Sequence, residues 1–375
     1  MIDRPNRPIS FSGGKILMKK ELEMVYPSIT AKPWIADLFS IVKCHEEAQV
    51  WIYSNYISVF GHYYPPAEEK RFYLDFLPTH TVWFQCPFIS HNLVPREYIA
   101  SHYNTFFEFV KDSIDRDYYI YCVVDFAELI PNTSRNLFPH EIFIYGYDSI
   151  NSQINISEFI LHHKYTYSTT SIASMERAYK NTCGINDFLF DGNGGVLLVK
   201  KRDFVTPAFP NQLDDRVREV HEIYSFDKEL VRSSMLNYLK PNCINDHTRI
   251  YIPRHKATVC GIDTYQLLYE HLNGLIDSEN LFDWRASHLF MEHKKLMTER
   301  VDYMISNEYI PRKHFDILKE FHEISAKAQS LRNRYLKERV KQTRKAADIN
   351  SLITEYKGIE KKELELYEKT AYLII

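Results

Sequence analysis

From residue 118 to 160 the chain repeats one pattern, a short apolar run closed by turn residues. YYIYCVVDF (118–126), HEIFIYGYD (140–148) and SQINISEFI (152–160) are each of strand length and rich in β-branched and aromatic residues. Their closeness in sequence predicts adjacent antiparallel strands. Gly146 and Asp148 are expected to supply turn chemistry after the second run. Elsewhere the period changes to that of a helix. Ala48, Trp51, Ile52, Asn55 and Tyr56 share a helical face, which places Cys44 at or near a helix N-terminus. NTFFEFVKDSIDRD (104–117) is helical by period, and TSIASMERAYKN (170–181) is a helix with a Ser or Thr cap. Residues 70–90 predict strands, NDFLFDGNGGVLLVKK a hairpin, and 210–285 helices with a strand near RIYIP. Beyond Asp283 the chain is mainly helical. Ile317, Phe321, Ile324, Ala328, Leu331 and Tyr335 form a heptad-like seam on one long helix.

Composition narrows the class. Apolar residues make up 45% of the 375-residue chain and charged residues 25%, the globular range. A net charge of −3 does not make the whole molecule an electrostatic nucleic-acid binder. The start has no long apolar segment, and no stretch approaches eighteen apolar residues. The six cysteines form no CxxC pair. These features predict a cytoplasmic protein with reduced thiols, no membrane span and no zinc site of the paired-cysteine kind.

Four constellations have chemical potential. Cys44 with His140 is the first. A thiol at a helix N-terminus becomes a nucleophile more readily, and a histidine opening a neighbouring strand can take its proton. Glu158, one strand later, suits the role of orienting the imidazole, with Asp125 and Asp148 as weaker choices. Residue types alone favour Cys44 as a small buried hydrophobe. The second is RNRYLKERVKQTRK (332–345), seven Lys or Arg against one Glu. A solvated helix face is the favoured reading, docking of an acidic partner the functional one. The histidines His45, His91, His102, His162 and His163 are a third. They lack metal-ligand spacing, so no metal is expected. Cys86, in WFQCPFISH, is a runner-up nucleophile, more simply a buried strand residue.

The order of these pieces resembles the family named for the butirosin biosynthesis protein H N-terminal domain, a papain-like cysteine fold. The segments that carry the resemblance are KCHEEAQVWIYSN, CVVDFAELIP, HEIFIYGYD, INISEF and SIASMERAY, with HEIFIYGYD the most specific. SMLNYLKP, VCGIDTYQLL and MEHKKLMTERVDYM are similar to multi-domain members from bacterial nonribosomal peptide and polyketide gene clusters. The resemblance extends from about Ile41 to the C-terminus. It implies acyl transfer from a carrier-protein phosphopantetheine thioester to a small-molecule amine, with Cys44 the nucleophile, His140 the base and Glu158 the orienting group. No cofactor, nucleic acid or membrane is implied. A non-catalytic module that binds a carrier protein or synthetase, and a small-peptide amide hydrolase, are the alternatives.

Two positions depart from papain-like sites. Leu38 stands where a glutamine often donates to the oxyanion, a loss that commonly costs about a hundredfold in rate. Glu158 stands where aspartate or asparagine is usual. The resulting expectation is an α+β protein. An N-terminal arm (1–30) precedes a papain-like domain (31–185) with its cysteine helix packed on an antiparallel sheet. A mixed extension (186–282) and a helical region (283–375) follow.

Overall fold

A computed structural model describes residues 18–45, 47–63, 72–77, 83, 86–130, 136–161, 164–183, 195–202, 226–241, 258–276, 283–341 and 345–375. The architecture is α+β, with an antiparallel sheet and a helical C-terminal region. The chain divides into two compact units, and neither is one continuous segment. The sheet unit comprises residues 1–23, 92–161 and 166–200, and the helical unit comprises 24–91, 162–165 and 201–375. These borders cross the expected ones, because the chain passes between the units several times. The hairpin arm before Gly195, the RIYIP strand and the pair His162–His163 lie outside the described residues.

In the sheet unit, β1 (Lys19–Glu21), β4 (Ile89–Pro95), β5 (Tyr119–Asp125), β6 (Pro139–Asp148), β7 (Gln153–Glu158), β8 (Thr166–Ser171) and β9 (Gly195–Lys201) form one sheet. Its order is β4-β9-β5-β6-β7-β8, and β1 pairs with the far end of β6. β5 and β6 are apolar on both faces, so Tyr119 to Val124 and Ile142 to Tyr147, Gly146 included, are all buried. Two short helices complete the unit beside α3 (Arg96–His102). These are α4 (Phe106–Asp115), capped by Thr105, and α5 (Ile172–Asn181), capped by Ser171. A glutamate from α5, Glu176, accepts the backbone N–H groups of Phe106 and Phe107 and so fixes the start of α4.

One expected turn residue has a different role. Gly146 lies inside β6, at a register shift in the pairing with β7. A Cβ there would stand 2.8 Å from the Lys20 carbonyl oxygen, so glycine lets β1 close on β6. The turn follows Asp148, which accepts N–H groups from Ile150 and Asn151. The arm expected over residues 1–30 is tied down where it is described. Lys19–Glu21 forms β1, and Ile29 is fully buried.

The helical unit holds α1 (Pro33–Val42), α2 (Ala48–Asn55), α6 (Lys228–Leu239), α7 (Thr264–Ile276), α8 (Trp284–Ser306), α9 (Asp316–Val340) and α10 (Ala346–Leu373). A small sheet of β2 (Val59–Tyr63), β3 (Phe72–Phe76) and β10 (Val259–Cys260) belongs to it. The heptad-like seam lies on α9, and all six of its residues are buried. No described helix is long and apolar enough to cross a membrane. Cys44, Cys86, Cys122 and Cys183 are free thiols, whereas Cys260 is disulfide-bonded. That corrects the expectation that every thiol is reduced.

Candidate active site

His140 is positioned by the entry to β6. Asp125, the last residue of β5, accepts the N–H groups of Ala127 and Phe138 on one oxygen and the Asn181 amide on the other. This carboxylate pins the chain on both sides of the β5–β6 connection, which sets Pro139 and His140 in register with Asp125 and Val124. The rings of Phe126 and Phe138 flank the imidazole, each 5.8 Å from it. Nδ1 lies 3.0 Å from the main-chain oxygen of Glu141 and 3.6 Å from its carboxylate. A carbonyl oxygen only accepts, so the neutral ring carries its proton on Nδ1. The lone pair is then on Nε2, which makes no hydrogen bond among the described residues. The histidine that opens this strand is thus a partly exposed imidazole with one nitrogen anchored and the other available.

Of the three carboxylates considered for orienting it, each is engaged elsewhere. Glu158 ends β7, and continuing the β6–β7 register by one pair puts it diagonal to His140 on the same sheet face. One of its oxygens accepts the Leu161 N–H at 2.7 Å, which closes the turn after β7. Asp125 serves the backbone as described. Asp148 is at the opposite end of β6, eight residues and roughly 26 Å away along an extended strand. Hydrogen bonds from Asn151 and Ile150 hold its carboxyl below the usual carboxylate range. The carboxylate beside Nδ1 is Glu141, which sequence reasoning did not single out. The signal was present in the dipeptide His-Glu, but a glutamate in a strand ordinarily points to solvent.

Cys44 belongs to the helical unit and His140 and Glu158 to the sheet unit. The expected place of the thiol at a helix N-terminus is corrected. Cys44 lies in the turn just past α1, four residues before α2 begins. Its backbone N–H continues the last turn of α1 by donating to Ile41, and Sγ is 3.8 Å from the Ser40 carbonyl. The carbonyl end of a helix has the opposite dipole to the one invoked from sequence. Glu47, the residue before α2, makes no side-chain cap, so the period that began at Ala48 marked the true helix start. Cys44 is half-buried. Leu38 is a fully buried residue of α1 and contributes packing only.

The other constellations resolve into structural roles. Burial pushes the Cys86 thiol up to about 12, which fits a core cysteine. His45 packs on Phe88, and His102 stacks on Tyr98 while bonding its own helix. Among the described residues no group of three or more His, Cys, Asp or Glu is placed to hold a metal ion. In the basic segment, Arg334 pairs with Glu355, and Lys341 with Glu338 and Asp348.

The helical unit also contains polar clusters that no local motif announces. Lys294 and Glu363, both almost fully buried, meet at 2.7 Å, and Glu363 accepts the Tyr265 hydroxyl at 2.5 Å. Lys294 also reaches Tyr238 and His293, and its ammonium stands 4.2 Å from the Phe290 ring centre. Glu292 accepts the N–H groups of Thr30 and Ala31 and the Thr30 hydroxyl. His288 stands between Thr30 and Arg332. The Arg332 guanidinium donates to Nδ1 of His288, so Nε2 of the neutral ring carries the proton and cannot serve as a base toward Thr30.

No protein-family model matches the chain, and a comparison with curated proteins finds no match.

Proposed function

We propose that the protein is a cysteine-dependent acyltransferase with a papain-like arrangement of helix and sheet. It acts on an acyl or peptidyl group carried as a phosphopantetheine thioester, in the chemistry of bacterial nonribosomal peptide or polyketide assembly. Cys44 is the nucleophile and His140 the base. The observation that carries the reading is the imidazole of His140, anchored at Nδ1 with its basic nitrogen open. That is the arrangement a general base needs. The order of sequence segments that resembles the butirosin H N-terminal family supports it.

In this mechanism Nε2 takes the Cys44 proton as Sγ attacks the thioester carbonyl. The tetrahedral intermediate collapses with loss of the carrier thiol, which leaves with that proton. An amine acceptor then attacks the acyl-cysteine, and its proton passes through His140 to the departing Sγ. Each step regenerates the groups used, and no external oxidant or cofactor enters. With Leu38 in place of a donor, backbone N–H groups must bind the oxyanion.

A second reading is favoured by the place of Cys44 beyond the carbonyl end of α1, away from a helix N-terminus. It is a non-catalytic module that binds a carrier protein or synthetase. An acidic carrier would meet the basic segment 332–345, where Lys337 and Lys345 are exposed. Charge reversal at these two lysines should then weaken binding, as should salt.

The deciding experiment is alkylation of the intact protein across pH, with the modified cysteine located by peptide mass. Fast reaction of Cys44 near neutral pH, slowed in His140→Ala, supports acyl transfer. If Cys44 reacts no faster than the other free cysteines, the acyltransferase reading is wrong and the binding module replaces it.

A further inference from the structure

We propose that the outer edge of β8 is an interface on which a second copy of this chain pairs its own β8, antiparallel, so that two sheets join into one. The inference goes beyond the acyl-transfer reading and does not rest on it.

A strand at the edge of a sheet turns half of its main-chain N–H and C=O groups away from its neighbour. β8 is such a strand. It pairs with β7 from Gln153 opposite Ser171 to Glu158 opposite Thr166, and no described strand pairs with its other side. β7 and α5 are the described elements packed closely on it. Beyond the ladder to β7, no hydrogen bond between main-chain groups engages Ser168, Thr169 or Thr170 among the described residues. Thr169 and Ser171 are exposed.

An open edge ordinarily carries a device against pairing: a charge, a proline, a very short strand or a cover. The other edges of this sheet have such devices. β1 is three residues long and reads Lys19-Lys20-Glu21. β4 ends in Pro95 and passes directly into α3. β8 reads TYSTTS, six residues with no charge and no proline. The group that recognises such an edge is another extended strand.

Two features select a second copy as that strand. β8 is uncharged, so its own image meets no like charge. Threonine is β-branched and hydroxylated, and it pairs across strands with threonine or serine. In one continuous antiparallel sheet the two-fold axis is perpendicular to the sheet, and residues that face each other share a face. A register centred on Thr169 puts the two Thr169 side chains directly opposite. A register centred on Ser168 puts them diagonally opposite. The contact is isologous and closes as a dimer.

The test is the mass of the full-length protein by light scattering, from about 1 to 100 μM, where a monomer–dimer equilibrium is expected. Thr169→Lys and Thr169→Glu each set like charges beside the axis. Each should weaken dimerisation by about threefold to tenfold at low salt. An equimolar mixture of the two variants should regain the native affinity, because opposite charges then face each other. Hydrogen exchange on the native protein needs no variant. The outward main-chain N–H groups of Ser168–Ser171 should exchange more slowly as concentration rises, and those of β4 should not change. The proposal is overturned by a monomer throughout, or by a dimer indifferent to both variants. It is equally overturned if protection of these groups is the same at every concentration. Should either variant fail to fold, the exchange measurement decides alone.

Discussion

In the sheet unit, Asp125, Asp148 and Glu158 are buried at strand ends, where each accepts backbone N–H groups. In the helical unit, Lys294 and Glu363 are buried in the middle of long helices and face each other. The first set satisfies main chain that a strand leaves unpaired where it stops. The second set satisfies itself. A carboxylate that caps a turn has a local cause, because the N–H donors lie within a few residues. A buried ammonium has none, and it survives only where a distant element brings a carboxylate. Glu141 is the exception in the sheet unit, since its carboxylate has an imidazole for a partner instead of a turn. That difference is what marks the His140 region as a candidate for chemistry.

The largest effect should come from breaking the self-satisfied pair. Glu363→Ala strands the Lys294 ammonium in the core, and we expect a loss of about 3–5 kcal/mol in urea unfolding. The double change Lys294→Met with Glu363→Leu should recover most of it, because no charge is then left buried. If the single and double variants are equally unstable, the pair is not what holds α8 and α10 together.

Asp75 sharpens the contrast through pH. It is fully buried in β3, and burial pushes its carboxyl up to about 6 despite nearby Lys32 and the Tyr73 hydroxyl. The unfolded carboxyl has its ordinary value near 3.8. The folded chain therefore holds the proton more tightly, and the stability this adds is present in full below about pH 4. It is lost as pH rises through about 6, in all on the order of 3 kcal/mol. Asp75→Asn should flatten that part of the stability–pH curve. An unchanged slope between pH 4 and 6 would disprove the role.

Asp125 tests the other kind of burial. Asp125→Ala leaves the Ala127 and Phe138 N–H groups without their acceptor, and we expect about 1–3 kcal/mol of destabilisation. Because the same carboxylate sets the entry to β6, the His140 NMR signals should shift too. Unmoved signals would mean that β6 is registered by its strand neighbours alone. The smallest effect belongs to the surface: Lys369→Ala removes two exposed ion pairs, to Asp316 and Glu320, and should cost no more than about 0.5 kcal/mol in thermal unfolding.

The apolar runs of β5, β6 and β7 and the seam of α9 were legible in the sequence, because a period of two or of three and four is a local property that burial on one side enforces. Ser171 was legible as a cap for the same reason. The place of Cys44 was not. The apolar residues from Pro33 to Val42 form a helix of their own, and the break before Ala48 leaves the thiol between two helices. Gly146 looked like a turn residue because glycine usually marks one, yet here it admits the backbone of a strand more than a hundred residues away. His140 could be named from its position, but not the carboxylate that lies beside its ring. Glu158 was one strand away by counting, and its carboxylate turned to Leu161. Lys294 and Glu363 carried no signal at all. The sequence by itself determined the elements and which of their faces are apolar, since hydrophobic period acts within one element. Only the tertiary structure decided which carboxylate meets which cation, because a buried charge is stabilised by whatever group the fold brings beside it, at any distance along the chain.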